Sequence, residues 1–486
     1  MEPTILIIYV VVSMTLVIYS LVEFSLLVNF WFRKNKHKKR EWKELPMVTI
    51  QLPMYNESFV VERLIDRITE MNYPKDKLEI QILDDSNDDT VGKAKRKVAY
   101  YQEKGFDIQY IQREDRVGFK AGALDYGLKT AKGEFVAIFD ADFLPSTEFL
   151  NDILPYFVHE KVGVVQSRWT YINEDYSFLT RLQTVILNTH FSVEQQGRNR
   201  SGAYINFNGT AGIWRVSCIA DAGGWHADTL TEDLDLSFRA QINGWKFVYA
   251  HEIESPSELP VTLPGYKVQQ FRWSKGAAEC ARKNIPGLLK SRAPSFWAKM
   301  IGSFHLLNSS MYLIIIMFVL LSVPMTYVVQ NLSKDSWIYA LFPYFLSTNL
   351  LLLMVFAGGS LSSSKNVGMD ILRFPFVFIG FIVINMGISL YMSMGIVEGY
   401  IGKKSDFIRT PKFNIIAKKK AEKTEKYNKI KIKPLLIFEF LFLGYGIFQI
   451  IYALKLGNIP MALFGLMFAL GFGINAGSTV YHSTRN

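Results

Sequence analysis

The chain has 486 residues, 49% of them apolar, and a formal net charge of +10. That length exceeds one ordinary soluble domain and admits a core plus further units. The basic excess lies in 33–43 and 403–433, both beside long apolar runs, where such residues orient membrane segments and meet anionic headgroups, so nucleic acid is excluded as the expected partner.

Charge-poor apolar runs occupy 5–32, 304–329, 338–356, 374–397, 435–454 and 459–476. Each is long enough to cross about 30 Å of hydrocarbon. The first is too long for the apolar core of a signal peptide, and no small-residue cleavage site follows it, so a retained anchor is expected. "RKNKHKKR" comes next and assigns that end to the cytosol. Within this run Glu23 is an intramembrane carboxylate, read either as functional or as snorkelling to the interface. The expected organisation is an anchor and basic flank (1–44), a cytosolic domain (45–290) and a C-terminal membrane region (291–486). Cys218 and Cys280 are too few for a disulfide framework, which fits a reducing compartment.

Inside the domain, "MVTIQLPMYNE" predicts a strand ending in Tyr55. "VVERLIDRITEMNYP" then has helical spacing, with Val61, Leu64, Ile65, Ile68 and Met71 on one face. "LEIQILDDSNDDT" predicts a second strand; its acidic end, taken alone, is a polar turn. "IQYIQRE" predicts a strand, "KAGALDYGLKTA" a helix, and "GEFVAIFDADFLP" a buried strand. This alternation implies a parallel sheet with crossover helices, which binds ligands at the carboxyl ends of its strands. Asp140 and Asp142 fall at such an end and flank one small residue. Two carboxylates so placed repel unless a cation joins them, and hard oxygens suit Mg²⁺ or Mn²⁺ with phosphate completing the shell.

"VQSRW" (165–169) closes a strand-like stretch and reads as local scaffolding. "TEDLDLSFRAQINGWK" predicts a helix with Thr231 as N-cap. Acids favour that position anyway, yet Asp233 precedes an apolar face and could deprotonate a hydroxyl. "VQQFRWSKG" sets Gln269, Arg272 and Trp273 together: a guanidinium grips phosphate, and an indole face stacks on sugars.

Topology follows from parity. If 403–433 is cytosolic, three crossings cannot separate it from the domain. The run 374–397, rich in Met, Gly and Tyr and followed by Glu398, is therefore expected to lie at the interface. Five spans and a cytosolic C-terminus result. The segment 415–433 reads as a charged loop, and after the last run only "YHSTRN" remains, so no cyclic-dinucleotide regulatory module is expected.

Together, Asp85 in "LDDS", Asp140/Asp142 in "DAD", Asp233 in "TED" and Gln269-x-x-Arg272-Trp273 resemble the D, D, D, QxxRW signature of membrane-embedded family 2 glycosyltransferases. "QLPMYNE", "FKAGAL", "FNGTAGIWR", "AGGW" and "NGWKFVY" are most similar to plant mannan synthases and related glucan synthases of the cellulose-synthase-like group, over about residues 47–283. "FIRTPK" (407–412) resembles the gating loop of cellulose synthases, departing at Arg409 and Pro411. The resemblance implies an α/β GT-A (Rossmann-like) catalytic domain on an α-helical multi-pass membrane region. It also implies a multi-pass protein of the plasma (inner) membrane or the Golgi membrane. The implied activity is processive, inverting, Mn²⁺- or Mg²⁺-dependent transfer of a hexose from UDP-glucose or GDP-mannose to a β-linked polysaccharide, with translocation.

It further implies roles for single residues. Tyr55 and Asp85 would hold the nucleotide base and Lys120 the diphosphate. Asp140 and Asp142 would bind the donor through the metal, and Asp233 would be the general base. Asn208, Gly209 and Thr210 would lie beside the acceptor. Gln269 and Arg272 would meet the diphosphate or the acceptor end, and Trp273 would carry the terminal sugar. Implied partners are a nucleotide-sugar donor, a polysaccharide acceptor, the lipid bilayer and export subunits. Two competing readings are a transporter or scaffold with a degenerate transferase domain, and a transferase loading one sugar onto a lipid.

Overall fold

The apolar N-terminal run folds as one helix, α1 (Glu2–Phe32). The computed structural model describes residues 2–34, 37–292, 295–330, 342–364, 366–405, 408, 410, 412, 414 and 435–484. Beyond α1, the chain alternates β1 (Val48–Met54), α2 (Val61–Thr69), β2 (Leu78–Asp84), α3 (Thr90–Glu103), β3 (Asp107–Ile111), α4 (Phe119–Leu128) and β4 (Phe135–Ile138). There follow α5 (Phe149–Ile153), β5 (Val162–Tyr171), α6 (Phe178–Asn188), a π-helical turn (Thr189–Glu194), α7 (Gln195–Ser201) and β6 (Gly212–Arg215). The domain closes with α8 (Val216–Asp221), α9 (Glu232–Ile242), β7 (Lys246–Ser257) and α10 (Leu263–Lys290).

The strands form one sheet in the order β3-β2-β1-β4-β6-β5-β7. It is mixed, which corrects the all-parallel expectation: β6 runs antiparallel to both β4 and β5. This decides where the site lies. Because β6 runs backwards, the residues just before it reach the edge at which β1, β2 and β4 end. Since β5 opposes β6, it runs with β4 and ends at that edge too.

Alternation in β1 and β2 assigns their two faces. Val48, Ile50 and Leu52 join Leu78, Ile80 and Ile82 in a core under α2, where Val61, Leu64, Ile65, Ile68 and Met71 are all buried as the spacing predicts. The intervening residues pair with each other: Thr49 Oγ1 donates to Glu79 Oε2 (2.6 Å), and Gln51 Nε2 to Gln81 Oε1 (3.0 Å). Buried polar groups are tolerated when paired in this way. Gly127 of α4 covers them, since a Cβ there would lie 2.7 Å from Gln51 Nε2. A second core, on the other face, includes Leu124, Ile138, Trp214, Leu236 and Tyr249.

The C-terminal region comprises α11 (Phe296–Leu307), α12 (Met311–Gln330), α13 (Phe342–Ser362), α14 (Val367–Ile401), α15 (Leu435–Lys455) and α16 (Ile459–Thr484). The run 304–329 is not a single helix, because a 3₁₀ turn at Asn308–Ser310 separates α11 from α12. Among the described residues, five helical segments have the length and composition to cross a membrane: Pro3–Phe32, Phe296–Gln330 (α11, the 3₁₀ turn and α12 together), Val367–Ile401, Leu435–Lys455 and Ile459–Tyr481. The number equals the expectation but the membership differs. Val367–Ile401 qualifies, whereas the run 338–356, whose start lies outside the described residues, contributes the shorter apolar helix Ser347–Ser362. The loop 415–433 also lies outside the described residues.

Length does not decide how α14 is placed; its contacts bear on that. In its first half, Gly380 packs on Phe178 and Leu182 of α6, with a Cβ there only 2.9 Å from either side chain. In its second half, Gly395 packs on Phe271, and Gly399 on the Lys275 carbonyl of α10. Both halves therefore rest on helices that precede the C-terminal region, α6 and α10, while the middle touches α16 at Gly387–Gly471. Glu23 does not snorkel: it is buried, near enough to Glu194 and Arg198 to feel both charges.

The interfacial placement expected from parity would leave both ends of α14 on one side of the membrane. Cysteines placed at Val367 and Lys403 are expected to react with an impermeant maleimide from the same face of sealed vesicles, and labelling from opposite faces would contradict this placement. At the α14–α16 crossing a Cβ on Gly387 would sit 2.1 Å from the Gly471 carbonyl oxygen. Gly387→Leu is therefore expected to destabilise by about 1–3 kcal/mol, the usual cost of overpacking, read as a lowered thermal midpoint.

Candidate active site

Each end of the parallel strands delivers one polar group to a common cleft. β1 ends before Tyr55, and β2 before the Asp84–Asp85 pair. Asp84 is structural: it accepts from the Ser86 N–H (2.9 Å) and from the Tyr110 hydroxyl (3.0 Å). Asp85 lines the cleft and accepts from Arg113, Nε at 3.0 Å and Nη2 at 2.5 Å. The Arg116 guanidinium lies 3.4 Å from the Tyr55 ring centroid, a cation–π contact. Neither arginine is marked by its sequence beyond being one of two cations in the loop "QREDRVGFK", seven and four residues before Lys120.

β4 supplies the next pair. Asp140 accepts from Lys120 Nζ (2.5 Å), and the same ammonium donates to the Gly209 carbonyl (2.9 Å). Asp142 is buried and accepts from Lys412 Nζ (2.7 Å) and from the Glu258 N–H (3.2 Å). Lys412 and Thr410 belong to "FIRTPK", so that segment does reach the cleft; Phe407, Arg409 and Pro411 lie outside the described residues.

The loop before β6 brings Asn208 and Gly209 to the cleft. Gly209 has φ +81°, and a Cβ would stand 2.9 Å from Asp233 Oδ2, so backbone conformation and space both call for glycine. Thr210 lies beneath: it is fully buried, and its hydroxyl accepts from the Asp140 N–H (2.8 Å). It shapes the Asp140 turn and does not line the cleft.

The acids of α9 divide. Asp235 is buried and locks α9 onto α10 by accepting from Lys283 and Asn284, and it also accepts from Arg239 one turn along its own helix. Glu232 and Asp233 line the cleft. Thr231 holds the N-cap position without a side-chain capping bond; its hydroxyl lies 3.4 Å from Cys280 Sγ. Burial, then the neighbouring Glu232, pushes Asp233 up to about 7, and Lys120 opposes them. From α10, Gln269, Arg272 and Trp273 enter the same cleft. Arg272 is half-buried, facing the charges of Glu232, Asp140, Asp233 and Asp142. One departure concerns "VQSRW": Arg168 turns away to the His251 carbonyl and Glu254, but Trp169 lines the cleft and is not scaffolding alone.

The metal expectation can be tested on the donor set. Asp140 and Asp142 each hold a lysine ammonium, so both attract a cation, and their hard oxygens beside Arg272 fit Mg²⁺ or Mn²⁺ together with phosphate. Among the described residues, His226, Asp228 and Asp235 also lie close enough to share an ion. Lys283 Nζ already stands 3.1, 2.8 and 3.1 Å from them and neutralises that group.

Residues 46–276 match the family described as "Glycosyltransferase like family 2". The chain is similar to the probable glucomannan 4-beta-mannosyltransferase 4 of Oryza sativa subsp. japonica, 39% identical over 310 residues, which are 61% of this chain and 56% of that protein. It is also similar to glucomannan 4-beta-mannosyltransferase 2 of Arabidopsis thaliana, 38% identical over 325 residues, 63% of this chain and 61% of that protein. The chain thus spans less than two thirds of the length of these relatives. Among solved structures, the mannosyltransferase PcManGT from Pyrobaculum calidifontis, in complex with GDP-Man and Mn²⁺, has the same fold. Its TM-score is 0.55 at 17% identity, covering 82% of this chain and all of that one.

A base that titrates near 7 works only when ionised, so its effect has a definite sign. The kcat/KM of glycosyl transfer is expected to fall about tenfold per pH unit below about 7 and to level off above it. A profile flat between pH 5 and 8 would remove Asp233 from the role of base.

Proposed function

We propose that this chain, whose residues 46–276 form a family 2-like glycosyltransferase domain, transfers mannose or a related hexose from a nucleotide diphosphate sugar to a growing β-1,4-linked polysaccharide. The observation that carries this reading is the convergence, in one cleft, of a half-buried carboxylate pushed up to about 7 with Lys120, Arg272 and the Asp140/Asp142 pair. GDP-mannose is the favoured donor, since the similar curated proteins are named 4-beta-mannosyltransferases.

The chemistry is a single displacement. The acceptor hydroxyl oxygen forms a bond to the anomeric carbon as the bond from that carbon to the diphosphate breaks. The electron pair leaves with the diphosphate, and the hydroxyl proton passes to Asp233. Lys120 and Arg272 hold the charge gathering on the leaving group, the kind of fixed electrostatic stabilisation that contributes most in a water-poor site. Asp140 and Asp142 would hold a divalent ion, which when bound supplies further positive charge to the diphosphate oxygens. Tyr55 and Asp85, with Arg113 and Arg116 behind them, form the nucleobase end. Asn208 and Gly209 lie toward the acceptor, Gln269 at its end, and Trp273 is the floor under the terminal sugar. No second carboxylate acts as nucleophile, so configuration inverts from an α-linked donor to a β-linked product.

The apolar helices then have a role beyond anchoring. A hydrophilic polymer made on the cytosolic side leaves only through a polar path. α10 both lines the cleft and packs on α14, so the cleft opens next to the helical bundle. We assign α14 to the interface, leaving the domain on the cytosolic face of a multi-pass protein that extrudes its product.

Purified full-length chain is expected to convert labelled GDP-mannose, in preference to UDP-glucose or UDP-N-acetylglucosamine, into a polymer cleaved by a β-1,4-specific hydrolase. Asp233→Asn is expected to lower turnover by at least about 10²-fold while GDP still binds, the loss typical of a missing general base. An α-linked product, or one sugar on a lipid, would overturn the reading.

A further inference from the structure

β5 ends at the edge of the sheet where the cleft opens, and Trp169 and Tyr171 stand two residues apart on it, hence on one face. Both line the cleft. The Trp169 ring is held on two sides, edge-on to Phe143 (centroids 5.0 Å apart, 68°) and tilted over Phe191 (4.8 Å, 31°). Its pose is thus set by packing without any bond from its own N–H. Trp169 Nε1 and the Tyr171 hydroxyl are buried and have no hydrogen-bond partner among the described residues. Native structures rarely leave buried donors unpaired, and those that persist commonly await a ligand or water. Both rings, like Trp273, pack against an apolar cluster of Leu187, Phe191 and Leu259, while the charges of Arg168 and Glu174 reach the Tyr171 hydroxyl.

We propose that Trp169 and Tyr171 are acceptor-binding residues, donating hydrogen bonds to hydroxyls of the incoming glycan chain beside Trp273. The chemistry favours a neutral sugar over the phosphates. Phosphate binding calls for cations, which in this cleft are Arg116, Lys120, Arg272 and the Lys412 paired with Asp142, whereas Trp169 and Tyr171 offer two neutral donors beside an apolar cluster. A pyranose matches such a surface, presenting C–H faces to rings and hydroxyls at its rim. The register of the chain is then read from two sides: the Trp273 face bears the ring, and the β5 donors fix its rotation about the chain axis, so that one hydroxyl meets Asp233.

The inference rests on the transferase reading and has its own test. Full-length protein is assayed with GDP-mannose and a β-1,4-linked mannohexaose acceptor, comparing wild type with Trp169→Phe and Tyr171→Phe. Tyr171→Phe keeps the ring and loses only the donor, whereas Trp169→Phe loses the donor and leaves a smaller aromatic ring between Phe143 and Phe191. The acceptor KM is expected to rise about fivefold in each, the worth of one hydrogen bond. Both kcat and the GDP dissociation constant should stay within twofold, and the product chains should be shorter. An acceptor KM within twofold of wild type in both variants would overturn the assignment, as would a change confined to GDP affinity. A loss of kcat in step with a lowered thermal midpoint would assign these residues a structural role and overturn it too. If the wild type neither binds GDP nor elongates the hexaose, the transferase reading itself fails, an outcome separable from the others.

Discussion

Of the carboxylates that line one partly enclosed cleft, four crowd the same ammonium and guanidinium groups, and much of the structure around them answers their repulsion. These four are Asp140, Asp142, Glu232 and Asp233. Like charges gathered away from water raise one another's proton affinity or recruit cations. Both responses are visible: Asp233 is pushed up to about 7, while Asp140 and Asp142 each hold a lysine ammonium. The cations come from elements far apart in sequence. Lys120 rides on α4, Arg272 on α10, and Lys412 follows α14, so the cleft ties the soluble domain to the C-terminal region.

α10 is the mechanical counterpart of that electrostatic knot. Its first half presents Gln269, Arg272 and Trp273 to the cleft, and neighbouring turns grip the helices below. Lys275, fully buried, pairs with Glu398 of α14 at 3.1 Å. Lys267 pairs with Glu439 of α15 at 3.3 Å, and Asn475 of α16 donates to the same carboxylate at 2.8 Å. Ion pairs in such places gain little net stability, because desolvation offsets the attraction, but breaking one strands a charge. They hold register between the helix that lines the cleft and the apolar helices α14, α15 and α16.

Much was legible before any coordinates. Period-two and period-3.6 patterns predicted β1 through β4 and the buried face of α2, because one apolar face against one core leaves a strong local signature. The polar motifs were legible as residue types suited to phosphate, cation and sugar. Their partners were not. Arg113 and Arg116 were passed over because an arginine in a loop carries no local sign of whether it meets solvent or a carboxylate. "VQSRW" was read as scaffolding because a strand sequence does not state which edge of the sheet its end will reach.

By itself, then, the sequence determined the apolar runs, the soluble block between them and the chemistry each motif could supply, since these depend on composition and on contacts a few residues apart. Tertiary structure alone decided that β6 is reversed, bringing Asn208 and Gly209 beside Asp233. It alone decided that Thr210 supports the cleft from below while Trp169 faces into it, and that α14 rests on α6 and α10. Each of these turns on the direction of a strand or the packing of one helix on another. Such long-range geometry depends on the summed burial and charge balance of the whole chain, which no short window of residues encodes.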